Sequence, residues 1–238
     1  MRLSPLQRYE QAVSSDDFTR DEQQFLAMSY LDDLYHQLNN TVEEKKGFFG
    51  FFKAKSAAPQ GLYMWGGVGR GKTWMMDMFY DSLTIERKMR QHFHHFMQRV
   101  HKELNQIQGQ TNPLEKVADI IYNEAVIICF DEFFVSNVSD AMILGDLFTM
   151  LFNRGVTLVA TSNIEPSGLY KDGLHRDRFM PAIKEVETHC MVMNIDSGID
   201  YRLRVLQQAE LYKSPMTREN HNWLANRFSS LSNNLKIS

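Results

Sequence analysis

From Gly61 onward, short apolar runs alternate with longer amphipathic ones, whereas the stretch before it is helical in rhythm. Residues 4 to 40 read as helix: Ser4 sits as an N-cap with Pro5 in the first turn, and Phe25, Leu26, Met28, Leu31, Leu34, Tyr35 and Leu38 recur at helical spacing. Residues 41 to 60 break that pattern and read as a linker or insert. LYMW is then a short strand and KTWMMDMFYDSL a helix. RQHFHHF (90 to 96) reads as a second strand, with helices in FMQRVHKELNQIQ and PLEKVADIIYNE. AVIICF (125 to 130) is a β-branched, wholly apolar run of the kind covered on both faces of a parallel sheet. SDAMILGDLFTMLFNRG is a helix that Gly155 stops. VTLVAT is a fourth strand, PAIKEVETH a short helix and CMVMNI a fifth strand. DYRLRVL (200 to 206) reads as strand and residues 216 to 232 as helix. Strands alternating with helices predict an α/β fold, a parallel sheet with helices on both faces.

Composition narrows the class. A chain of 238 residues suits one large domain, or one with an appendage, and 43% hydrophobic with 23% charged residues reads as soluble and globular. A net charge of −3 argues against a dedicated nucleic-acid binder. Cys129 and Cys190 have no metal-ligand spacing and suggest no disulfide framework. The N-terminus shows no apolar signal core and no long apolar segment follows, so an intracellular setting is expected.

The chemistry concentrates at residues 66 to 73, GGVGRGKT, which fit the phosphate-loop pattern G-x-x-x-x-G-K-[ST] between a strand and a helix. Gly66, Gly67, Val68, Gly69, Arg70 and Gly71 would wrap a phosphate with backbone N–H groups beside a helix N-terminus, with Trp74 flanking the loop. Lys72 would place its charge on the β- and γ-phosphates and the Thr73 hydroxyl would ligate Mg2+. Asp131 and Glu132 end an apolar strand, where Asp131 would hold Mg2+ through water and Glu132 would activate the attacking water. A solvated turn also accommodates such a pair. Thr161, Ser162 and Asn163 end the next strand; Asn163 suits the attacking water or the γ-phosphate, and equally a turn cap. Arg176 and Arg178 lie near a helix start, placed either to reach a neighbouring subunit's nucleotide or to pair with Asp172 and Asp177.

With these residues assembled, the sequence resembles AAA+ ATPases, and more narrowly the AFG-type/ZapE family. The resemblance is carried by LYMWGGVGRGKTWMMDMFY, HFHHFMQRVHKEL, ICFDEFFVSNVSDAMIL, GVTLVATSNIEPSGLYKDGL and RDRFMPAI. It implies a P-loop fold of the AAA+ (ASCE) type with a five-stranded parallel sheet in the order 5-1-4-3-2, preceded by N-terminal helices. It implies ATP and Mg2+ as ligands, ATP hydrolysis, and assembly into a homo-oligomeric ring. Gly66–Thr73 take the Walker A role, Asp131 and Glu132 the Walker B role and Asn163 the first sensor; Arg178, then Arg176, is the trans-acting finger. Bacterial members are linked to FtsZ and division under stress, mitochondrial ones to quality control. Remodelling of a protein partner such as FtsZ, in the cytoplasm at the division site or inner membrane surface, is the function it implies. A helicase-loader-like DNA-associated module and an ATP-gated adaptor with little turnover are the alternatives. The core is expected over 61 to 200, after an N-terminal segment (1 to 40) and insert (41 to 60), with 201 to 238 opening a C-terminal region. Family members are longer, so the chain is expected to lack C-terminal portions, which leaves its own turnover open. No second-sensor arginine is evident in the sequence. Strand two's end, where AAA+ proteins carry a switch residue, is expected at His94 or His95 near Glu132. Phe48, Phe49, Phe51 and Phe52, flanked by lysines, fit contact with a membrane surface or partner, or packing on the protein itself.

Overall fold

Successive residues of a strand point to opposite sides of its sheet, so a wholly apolar strand needs cover on both. The computed structural model describes residues 3–14, 20–46 and 58–196, all within the unit Met1–Ile199. Five parallel strands form the sheet: β1 (Gly61–Trp65), β2 (Lys88–His92), β3 (Ile127–Asp131), β4 (Thr157–Ser162) and β5 (Cys190–Asn194). Their spatial order is β2-β3-β4-β1-β5, the expected 5-1-4-3-2 read from the other edge.

One face carries Leu62, Met64, Ile127, Cys129 and Val159. It is covered by α1 (Pro5–Val13), α2 (Glu22–Lys46) and α3 (Lys72–Ser82). The other carries Tyr63, Ile128, Phe130, Leu158 and Ala160. It lies under α4 (Phe93–Gln106), α5 (Pro113–Glu124), α6 (Val138–Arg154) and α7 (Arg176–His189). Gly61 is dictated by close approach: a Cβ there would stand 1.8 Å from the Leu158 carbonyl oxygen on β4.

The N-terminal helices form as their sequence specifies. Ser4 accepts from Gln7 N–H and the Gln7 side chain accepts from Ser4 N–H, a reciprocal cap ahead of Pro5. Met28, Leu31, Leu34 and Leu38 line the buried stripe of α2, with Phe25 and Tyr35 at its margin, while Leu26 is exposed. The helix runs on to Lys46, past the break expected at residue 41.

Two boundaries differ from expectation. β2 spans Lys88–His92, and HFHHF is not its second half: Phe93 starts α4. Phe93, Phe96, Met97 and Val100 recur at i, i+3, i+4 and i+7 and are all buried, so the helical period wins over alternation. Likewise α7 begins at Arg176, five residues before the expected PAIKEVETH, and carries Pro181 within it. Gly155 takes positive φ (91°) and caps α6 as expected. The readings for Phe48, Phe49, Phe51 and Phe52, for strand 200 to 206 and for helix 216 to 232 lie outside the described residues. No helix among the described residues is long and apolar enough to cross a membrane.

Candidate functional site

The carboxyl ends of β1, β3 and β4 lie side by side, and the loop from Gly66, with Asp131, Glu132 and Asn163, lies at or directly after them. β1 leads into the loop Gly66–Gly71, and α3 opens at Lys72. Gly66, Gly69 and Gly71 hold positive φ of 143°, 81° and 77°, which curls the chain as few side-chain-bearing residues allow. Gly71 is restricted twice, since a Cβ there would lie 2.9 Å from Gln24 Nε2. Val68 is exposed at the loop's tip, Thr73 is exposed on the first turn of α3, and Trp74 packs against the Tyr9 ring at 5.9 Å.

Lys72 turns back into the loop. Its Nζ donates to the carbonyls of Gly66 and Gly67, both at 2.7 Å, and to Asn163 Oδ1 at 3.2 Å. Lys72 as a whole is only 8% exposed, so a buried cation joins the loop to the end of β4. Arg70 closes the loop's other side. Its Nη2 pairs with Asp196 Oδ1 at 2.9 Å, while its buried Nε and Nη1 have no hydrogen-bond partner among the described residues. Gln24, buried on α2, donates to the Arg70 carbonyl at 3.1 Å and binds the N-terminal helices to the loop.

The strand ends at Asp131 take three directions in three residues. Asp131 is buried toward α3, and Glu132 is exposed in a left-handed conformation (φ 53°). Phe133 is buried on the opposite side, 4.4 Å from the Phe93 ring. A non-glycine residue at that φ costs about 1–2 kcal/mol, and β4 holds it in place. Glu132 N–H donates to Thr161 Oγ1 (3.2 Å), Phe133 N–H to the Thr161 carbonyl (2.7 Å) and Ser162 Oγ to the Phe133 carbonyl (2.8 Å). Tyr63 OH donates to the Ile164 carbonyl at 2.8 Å and steadies the turn after Asn163; burial pushes this phenol well above its ordinary range.

Asp131 also has a partner that the sequence reading missed. Arg90 on β2 donates through Nε to Asp131 Oδ2 (2.9 Å) and through Nη1 to Asp77 Oδ1 on α3. Burial opposes the Arg90 charge, but hydrogen bonds and attraction to Asp131 and Asp77 hold its pKa above the ordinary value. Arg90 lies in the mostly polar strand KMRQH, whose start the sequence reading put at residue 90, and no local pattern marked it. Gln24 and Asp196 were missed for lack of any motif; each shows only as a polar residue beside an apolar run.

The polar residue at the end of β2, in register with Asp131, is His92; His94 and His95 belong to the first turn of α4 and form no hydrogen bond with Glu132. The two arginines of α7 stand apart from these strand ends in their bonding. Arg176 donates to the Ser167 carbonyl at 2.6 Å, whereas Arg178 is exposed and its guanidinium has no partner among the described residues.

A five-stranded parallel sheet in this order, with a strand–loop–helix at its centre, makes the protein a P-loop protein of the AAA+ class. The chain belongs to the AFG1-like ATPase family, whose sequence profile matches residues 3–236. It is 50% identical over 228 residues to the cell division protein ZapE of Escherichia coli K12, covering 91% of this chain and 61% of that one. It is 42% identical to lactation elevated protein 1 homolog B of Danio rerio over 167 residues, 66% of this chain and 33% of that one. The chain thus spans about three fifths or less of the length of these relatives. AMPPCP-bound DnaA from Aquifex aeolicus shares the fold, with a TM-score of 0.54 at 15% identity, over 80% of this chain and 52% of that one.

Proposed function

We propose that this chain binds ATP with Mg2+ at Gly66–Thr73 and hydrolyses it to ADP and phosphate, turnover being coupled to remodelling of a protein partner. The observation that carries this reading is Lys72, whose buried ammonium gathers the Gly66 and Gly67 carbonyls and Asn163 at one point. A buried cation beside a glycine-curled loop and a helix N-terminus is the setting for a polyphosphate. Nε and Nη1 of Arg70, without partners among the described residues, add donors that a ligand can use.

The site residues divide the work. Backbone N–H groups of Gly67, Val68, Gly69, Arg70 and Gly71 take the phosphate oxygens, and Lys72 leaves its carbonyls for the β- and γ-phosphates. Thr73 would offer a hard oxygen donor that Mg2+ prefers, Asp131 would hold the ion through water, and Trp74 flanks the nucleotide. Bound Mg2+ supplies charge neutralisation on the phosphates. Glu132 orients and deprotonates the attacking water, fixed by its bonds to β4, and Asn163 reports the γ-phosphate to that strand. Arg178, exposed and without a partner among the described residues, serves a neighbouring copy's nucleotide in a ring, while Arg176 is held by Ser167. The likeness to a cell division protein over 91% of this chain supports a bacterial division role, with FtsZ as first choice of partner and the cytoplasmic face of the division site as place.

Hydrolysis measured against protein concentration tests this reading. Specific activity should rise with concentration, and Glu132→Gln should bind ATP yet turn over about 100-fold more slowly. Arg178→Ala should lose about 10³-fold in rate, and Arg176→Ala far less. A concentration-independent rate untouched by Arg178→Ala removes the ring finger; failure of the unmodified chain to bind ATP removes the whole reading.

A further inference from the structure

An edge strand commonly carries charge on its solvent side, but Arg90 turns inward. It is in register with Cys129, whose side chain belongs to the α1–α3 face, so Arg90 also points to that face, toward α3. There its Nε donates to Asp131 Oδ2 at 2.9 Å and its Nη2 to Oδ1 at 3.4 Å, a fork on both oxygens of one carboxylate. Nη1 donates to Asp77 Oδ1 on α3, the helix that the loop opens. Asp131 is 9% exposed and Arg90 21%, so solvent screens the pair little.

We propose that Arg90 is a positioning residue for the cation side of the nucleotide site: its fork keeps Asp131 in the through-water arrangement expected of that carboxylate and bars direct ligation. This rests on the reading of Gly66–Thr73 and Asp131 as an ATP–Mg2+ site. A carboxylate engaged on both oxygens by one guanidinium must break that fork to enter a metal's inner shell. Direct ligation would also bring a divalent cation close to the Arg90 charge. Mg2+ gives up its waters reluctantly, and a water between it and Asp131 satisfies both demands. The geometry also makes Arg90 a cross-link: through Asp77 it ties α3, and through Asp131 it ties β3, so both parts of the site are set from β2. Lysine would keep the charge but not the planar fork.

The test is ADP binding to the full chain by calorimetry, without metal and across a Mg2+ titration, with ATP turnover alongside. For Arg90→Gln the half-saturating Mg2+ concentration should fall about fivefold, because a repelling charge is gone and the carboxylate is free to ligate directly. Metal-free ADP affinity should hold within about twofold, and turnover should fall about tenfold. Arg90→Lys should keep the Mg2+ dependence of the unmodified chain and lose turnover, since charge is retained and the fork is not. An Arg90→Gln chain that melts cooperatively and shows an unchanged or weaker Mg2+ dependence overturns the proposal, as does an Arg90→Lys chain with full turnover. If Arg90→Gln does not fold, the Lys variant decides alone. An unmodified chain that binds ADP and ATP with no response to Mg2+ removes the underlying reading, and this inference with it. A normal response in the unmodified chain with none of these shifts removes only the role of Arg90.

Discussion

The two faces of the sheet are built from different materials. The α4–α7 side is packed with rings: Phe93, Phe96, Phe130, Phe133 and Phe148 are buried there with edge, stacked and tilted contacts, among the last Phe96 on Phe130 at 4.7 Å. The α1–α3 side is richer in aliphatic and methionine residues, with Tyr9 and Phe79 as its fully buried rings, and buries the polar groups of the site, Gln24, Lys72 and Asp131. Rings interdigitate and hold one geometry, whereas methionine and small aliphatic contacts tolerate adjustment. One side provides a fixed wall for the strand ends, and the other lets a loop and its helix answer a ligand.

The strongest way to break that contrast is to remove a ring from the wall. Phe96 is fully buried against Phe130, and Phe96→Ala should cost about 3–5 kcal/mol of stability. Urea unfolding measures it, and metal-free ADP affinity of the folded protein should stay within about twofold, since the loop lies on the other face. A large loss of affinity with little loss of stability would mean that the two faces are not separate in function.

A smaller and sharper change sits where the faces join. Thr161 is buried, and its hydroxyl accepts from the backbone of Glu132, the residue at φ 53°. Thr161→Val keeps the volume and leaves that N–H without its hydroxyl partner, a loss of about 1–1.5 kcal/mol. Turnover should drop about tenfold while ADP affinity is unchanged, because only the aim of Glu132 is disturbed. Equal turnover would show that the Phe133 to Thr161 backbone bond fixes Glu132 unaided.

The strand–helix alternation, the sheet order and the phosphate loop were legible because each rests on a local pattern: apolar runs such as AVIICF, and GGVGRGKT between a strand and a helix. The boundary at β2 was not, because HFHHF holds only two apolar residues, too few to fix a period, and only burial of Met97 and Val100 decides it. Asn163 beside Lys72 was legible as a polar strand end, although its bond spans 91 positions. Arg90, Gln24 and Asp196 were not, because their partners lie far along the chain and no spacing rule links them. The left-handed turn at Glu132 was equally hidden, since glutamate carries no sign of it.

The last effect is absent near neutrality and concerns the Cys129 thiol, two residues before Asp131. Cys129 is fully buried on the aliphatic face, and burial pushes its pKa up to about 12, with Arg90 pulling it down only in part. In the unfolded chain it returns to about 8.5, so between those values the native state keeps a proton that the unfolded state has lost. The native state then binds more protons, and stability falls as pH rises, by up to about 1.4 kcal/mol per pH unit for this one thiol. Below pH about 8 the contribution is complete and flat, so nothing should change near neutrality. Urea midpoints between pH 9 and 10.5 should therefore fall more steeply for the unmodified chain than for Cys129→Ala, by close to one proton. Lysines and tyrosines titrate in the same window, but they are common to both chains and cancel in the comparison. Equal slopes would mean that the thiolate is tolerated inside the fold, as it would be if the Arg90 charge reached Cys129 strongly enough to offset burial.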